Sequence, residues 1–123
     1  MPMLFFEGIS RSTSFFTDES ETFRIEGRVI SSFVGVTVAT HHDGAWHSDD
    51  KPYRRIVCRG ALSVSLEYPP ESTTEFVRPL KEVHIDSGTI KADGVPLATF
   101  NSDGQWHNCR TGQRLVAINV AGL

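Results

Sequence analysis

Asp43-Gly44-Ala45-Trp46-His47 returns sixty positions later as Asp103-Gly104-Gln105-Trp106-His107, and these two stretches hold both tryptophans of the chain. Working outward from them, the halves of the sequence match in order. Thr22-Phe23-Arg24-Ile25-Glu26 lies on Glu82-Val83-His84-Ile85-Asp86, Ile30 lies on Ile90, and Val36 to Thr40 lies on Val95 to Thr99 with one residue of slippage. Farther out, Arg55-Ile56-Val57 lies on Arg114-Leu115-Val116, while Glu7, Ser12, Thr13 and Phe16 lie on Glu67, Ser72, Thr73 and Phe76. Alternation and Asx-Gly turns recur in any hairpin-rich chain, but they do not produce an ordered series that ends in a repeated D-G-x-W-H. The sequence therefore predicts two tandem pseudo-repeats, 1–60 and 61–120. About sixty residues bury too little surface to stand alone, so both are expected to share one core in a single domain spanning 1–123.

Apolar residues recur at period two rather than at helical spacing. Phe23/Ile25, Val34/Val36/Val38, Leu62/Val64/Leu66 and Val83/Ile85 read as strands, with shorter candidates at Met3 to Phe6, Ser14 to Thr17, Leu97 to Phe100 and Leu115 to Val120. Turns are announced by Asp43-Gly44, Tyr68-Pro69-Pro70-Glu71, Ser87-Gly88, Asp93-Gly94 and Asp103-Gly104; in the Asp-Gly pairs Asp tolerates the left-handed region and glycine adopts it freely. Tyr68 to Thr74, with Pro69 and Pro70, reads as the linker between the copies, and Pro96 is expected at a strand edge or start. The predicted fold is all-β: a sandwich, roll or small barrel.

The 123 residues carry 12 Lys/Arg against 15 Asp/Glu, a formal charge of −3. The excess is shared by both halves, which argues against binding to duplex nucleic acid. Lys51, Arg54, Arg55 and Arg59 form the nearest approach to a basic cluster and are expected to be solvated or self-paired. No apolar run approaches a membrane span, and Met1 to Gly8 lacks the features of an export signal, so no membrane association is expected. Cys58 and Cys109 are too few for a disulfide scaffold and fit no zinc spacing, which makes a reducing, cytoplasmic setting the default expectation.

The repeated D-G-x-W-H supplies the candidate ligand seat: Asp43, Trp46 and His47 in one copy, Asp103, Trp106 and His107 in the other. Neighbouring side chains on a strand face opposite ways. Either each Trp is core and each His is surface, or a bulge turns both into one depression where an indole face and polar groups receive a ligand such as a carbohydrate. Alternatively, His41, His42 and His47 gather with nearby aspartates around a metal, as in a small β-barrel metalloenzyme. Cys109 beside His107 and Arg110 lacks the fixed spacing of a nucleophile motif. Phe5-Phe6 and Phe15-Phe16 each send one ring to either face of a strand, which points to a homo-oligomer. The reading is a non-catalytic binding or assembly module without a cofactor, its partner a carbohydrate or a protein. A structural component of a virion or other oligomeric assembly explains the same features.

Overall fold

In the computed structural model, residues 2–9, 14–16, 22–70 and 73–123 are described, the backbone alone at 14–16 and 73. Thirteen strands are described: β1 (Met3–Gly8), β2 (Ser14–Phe16), β3 (Thr22–Glu26), β4 (Val29–Ser32), β5 (Thr37–His42), β6 (Ala45–Ser48), β7 (Lys51–Tyr68), β8 (Thr73–Ile85), β9 (Thr89–Ala92), β10 (Val95–Phe100), β11 (Trp106–Asn108), β12 (Arg114–Leu115) and β13 (Ala117–Gly122). They form one antiparallel sheet in the order β12-β11-β10-β9-β8-β7-β13-β3-β4-β5-β6. The last of these returns to pair with β7, and β1 lies on β7 with β2 beyond it. Among the described residues no helix is long and apolar enough to cross a membrane.

Alternation explains how these strands share an interior. Phe23 and Ile25 of β3, Leu62, Val64 and Leu66 of β7, Val83 and Ile85 of β8, and Ile118 and Val120 of β13 are buried together in one core. Their neighbours Arg24, Ser63, Ser65, His84 and Asn119 take the opposite face, as period two requires. The fold is thus all-β and single-domain.

Strand pairs sixty positions apart have the same register. Phe23 faces Ser32 and Ile25 faces Ile30 between β3 and β4, while Val83 faces Ala92 and Ile85 faces Ile90 between β8 and β9. Phe5 faces Phe16, and Ser65 faces Phe76. The register also slips at the same point, after Ile30 in one half and after Ile90 in the other.

One strand expectation is corrected. Val34 and Val36 are not strand residues, because Phe33 to Val36 form the loop between β4 and β5, closed by the Gly35 and Val36 backbone against Ser32. Tyr68 and Thr73 face each other between β7 and β8, where the sequence reads a turn from Tyr68 to Glu71. Positions 60 and 61, between which the sequence divides its halves, lie inside β7, where Gly60 has φ +140° and the register with β8 shifts between Arg59 and Leu62. Leu115 faces Trp106 and Tyr53 faces Trp46, while Ile56 faces Phe6 and Ile118 faces Leu66. Ser12, Thr13, Thr17, Glu71 and Ser72, and the Phe15 and Phe16 side chains, lie outside the described residues.

Candidate functional site

The two D-G-x-W-H stretches sit in the β5–β6 and β10–β11 hairpins. The first closes with two residues, Asp43 (φ +51°) and Gly44 (φ +76°), the pattern a tight hairpin between twisted strands demands. The second is longer, spanning Asn101 to Gln105, and only Gly104 has positive φ. In both, Trp and His take opposite faces.

The indoles take the inner face. Trp46 is 0% exposed and Trp106 2%. The Trp46 Nε1–H donates to the Asp86 carbonyl at 3.0 Å, after β8, and the Trp106 Nε1–H donates to the Gly27 carbonyl at 2.8 Å, after β3. Each indole thus fastens its hairpin to a turn in the other half of the chain. His41 meets Trp46 edge-on at 5.1 Å, and Phe100 meets Trp106 edge-on at 5.3 Å. The expectation that Trp46 and Trp106 offer a ring face to a ligand is therefore corrected: burial and a satisfied N–H make them core residues.

The outward histidines differ in their surroundings. His107 Nε2 lies 2.8 Å from Asp103 Oδ2, and its Nδ1 lies 3.2 Å from the Gly112 carbonyl. The hydrogen bond to Asp103, followed by that to Gly112, raises the His107 pKa. The same bond, followed by the Gln105 N–H, holds Asp103 below the usual carboxylate range. His47 instead donates from Nδ1 to the Ala45 carbonyl at 3.2 Å and stacks on His42, with ring centres 3.7 Å apart and planes 9° from parallel. His42 Nδ1 in turn lies 3.3 Å from Asp43 Oδ2.

Beside this stack lies a cleft of about 340 Å³, lined by Thr37, Thr40, His42, His47, Ser48, Asp49 and Asp50 with Val38 and Ala39. Asp49 and Asp50 form the β6–β7 turn, both at positive φ. The third histidine of the metal alternative is elsewhere: His41 lies on the Trp46 side, with Nε2 2.8 Å from the Ser87 hydroxyl. Hence His41, His42 and His47 do not surround a common point, and among the described residues no group of three metal-ligating side chains converges.

His41 has a lowered pKa, first because it is partly buried and then because Arg28, His42 and His47 are nearby positive or protonatable groups. The folded ring therefore resists a proton that the unfolded chain accepts near 6.5. Its neutral form is compatible with full stability above that value, and stability declines as pH falls from there toward the lowered folded value. Phe100 occupies the matching place against Trp106, which makes His41→Phe a conservative probe. Thermal unfolding between pH 7.5 and 5 is expected to show a smaller acid loss in His41→Phe than in the parent protein. Equal losses would remove this ring from the acid response.

The remaining candidates are the two cysteines and the basic cluster. Cys58 is buried and its thiol is pushed up to about 12 by desolvation, so it packs as a small apolar residue. Exposed Cys109 is also raised. Arg55 pairs with Glu7 at 2.7 Å, Arg54 with Glu7 at 3.7 Å and Arg59 with Glu82 at 2.7 Å, so these three arginines of the basic cluster are engaged within the fold.

Two features were not singled out from the sequence. Buried Asn108 donates to the Tyr68 hydroxyl at 2.6 Å and accepts from the Arg110 and Thr111 backbone N–H groups at 2.7 and 3.2 Å. The other is the β4–β5 loop, where Phe33 and Val34 are each 78% exposed and Val36 is 61% exposed. Comparison of the chain with known protein families, curated proteins and solved structures gives no match.

Proposed function

We propose that this protein is a non-catalytic assembly module which associates with further copies of itself through the tip of the β4–β5 hairpin. The observation that carries this reading is the outward display of Phe33, Val34 and Val36 on a stretch, Val29 to Thr40, that contains no charged residue. Large apolar side chains gathered on a protruding tip gain free energy when a partner covers them. Because each copy has a formal charge of −3, like copies repel one another least where charge is absent. A structural role in a repeating assembly agrees with this, and burial of the two indoles leaves the carbohydrate alternative without its stacking platform.

We also read the chain as two fused copies of one strand pattern folded into a small barrel. The registers shared at sixty-residue spacing support the duplication. The pairing of β7 with both β13 and β6 supports closure, since the path β7-β13-β3-β4-β5-β6 returns to its origin.

Light scattering across a concentration series tests the assembly reading. The parent protein is expected to exceed monomer mass, and Phe33→Ser/Val34→Ser/Val36→Ser is expected to return it to monomer with the same circular dichroism. A parent protein that stays monomeric at millimolar concentration, or a variant that associates undiminished, would overturn it.

A further inference from the structure

We infer that the cleft between β5, β6 and the β6–β7 turn is a binding site for a guanidinium group. The inference begins with the tautomers. A backbone carbonyl only accepts, so the His47 Nδ1 facing Ala45 O bears a hydrogen, and in the neutral ring Nε2 is the acceptor. A carboxylate also only accepts, so His42 Nδ1 facing Asp43 bears a hydrogen, and in the neutral ring Nε2 is again the acceptor. With Asp49 and Asp50 also lining the cleft, each of its four ionisable side chains offers lone pairs when the imidazoles are neutral. The Thr37, Thr40 and Ser48 hydroxyls adapt to either role. Among the described residues neither Asp49 nor Asp50 has an ion-pair partner.

An acceptor-rich, negatively charged cleft calls for a cation that bears several donors. A metal ion fits poorly, since no three ligating side chains converge among the described residues. A guanidinium fits on three counts. It presents five N–H donors in one plane, its fork matches a carboxylate with two parallel bonds, and its flat face stacks on flat rings. His42 supplies such a ring: one face is covered by His47, and the side chain is 55% exposed. The second half of the chain offers no equivalent, because His107 engages both nitrogens, one with Asp103 and one with the Gly112 carbonyl, and the Asp49-Asp50 turn is matched by Cys109 and Arg110.

The cleft adjoins the hairpin tip through Thr37 and Val38, and a titration on the tip variant separates the two proposals. Labelled protein is titrated with ethylguanidinium chloride while the ring signals of His42 and His47 are followed by NMR, with tetramethylammonium chloride at equal ionic strength as the reference cation. Saturable shifts are expected with guanidinium alone, and affinity is expected to fall at least about tenfold in Asp49→Asn/Asp50→Asn. Asparagine tolerates the left-handed conformation that both positions need, so the turn survives. Non-saturating shifts, equal shifts with tetramethylammonium, or undiminished binding in the double variant would overturn the proposal. Two further arms identify the source: equal affinity for a blocked arginine and for an arginine-containing pentapeptide marks a free small molecule, and tighter binding of the pentapeptide marks an arginine side chain of a polypeptide.

Discussion

Trp46→Ala is expected to lower the unfolding free energy by about 3–5 kcal/mol, the range for removing a fully enclosed large aromatic side chain. The ring has no exposed surface, so its loss leaves a void that the surrounding strands fill only in part. The substitution also strands the Asp86 carbonyl, which receives the indole N–H in the folded protein. Trp106→Ala is expected to cost a similar amount, because Trp106 makes the reciprocal bond to Gly27. Trp46→Phe separates the two contributions: it keeps most of the buried ring and loses the donor, at an expected cost of about 1 kcal/mol from the hydrogen bond with a smaller packing loss added. Urea unfolding measures all three. A Trp46→Ala protein within 1 kcal/mol of the parent would contradict the core role of the ring.

Asn108→Ala is the next largest expected loss, about 2–4 kcal/mol. One amide there satisfies three groups: the Tyr68 hydroxyl and the N–H groups of Arg110 and Thr111. Removing it leaves the turn after β11 with partly buried donors that lack an acceptor, at about 1–3 kcal/mol for each group so stranded. The hydroxyl of Tyr68 also donates to Glu75, and Arg110 bonds the same carboxylate, so the loss propagates to the edge of β8. Tyr68→Phe removes only the hydroxyl and is expected to cost about half as much. Equal stability of Asn108→Ala and the parent, at an unchanged denaturant slope, would show that water replaces the amide without penalty.

Local pattern carried much of the architecture. Phe23/Ile25, Leu62/Val64/Leu66 and Val83/Ile85 alternate because one sheet face is buried, and that alternation is written residue by residue. The loop at Phe33 to Val36 has the same apolar spacing and yet protrudes, since periodicity reports which residues are apolar and not whether a neighbour covers them. The insertion of β13 between β3 and β7 joins segments far apart in the chain, which no local signal encodes. At the candidate site, adjacency placed Trp46 and His47 on opposite faces, but the direction of the core decides which faces inward. The His42–His47 stack depends on the register in which Thr40 faces His47 and His42 faces Ala45, which makes the two imidazoles diagonal neighbours. The Asp49-Asp50 turn carries no glycine to announce it.

The position of β13 bears on how the molecule is made. This strand joins Thr22 to Ile25 of β3 and Leu62 to Glu67 of β7, so during synthesis those edges stay open until Ala117 to Gly122 has left the ribosome. Nascent chains halted before Ala117 therefore expose two unfinished strand borders, and a holdase that recognises extended backbone has its greatest opportunity in that interval.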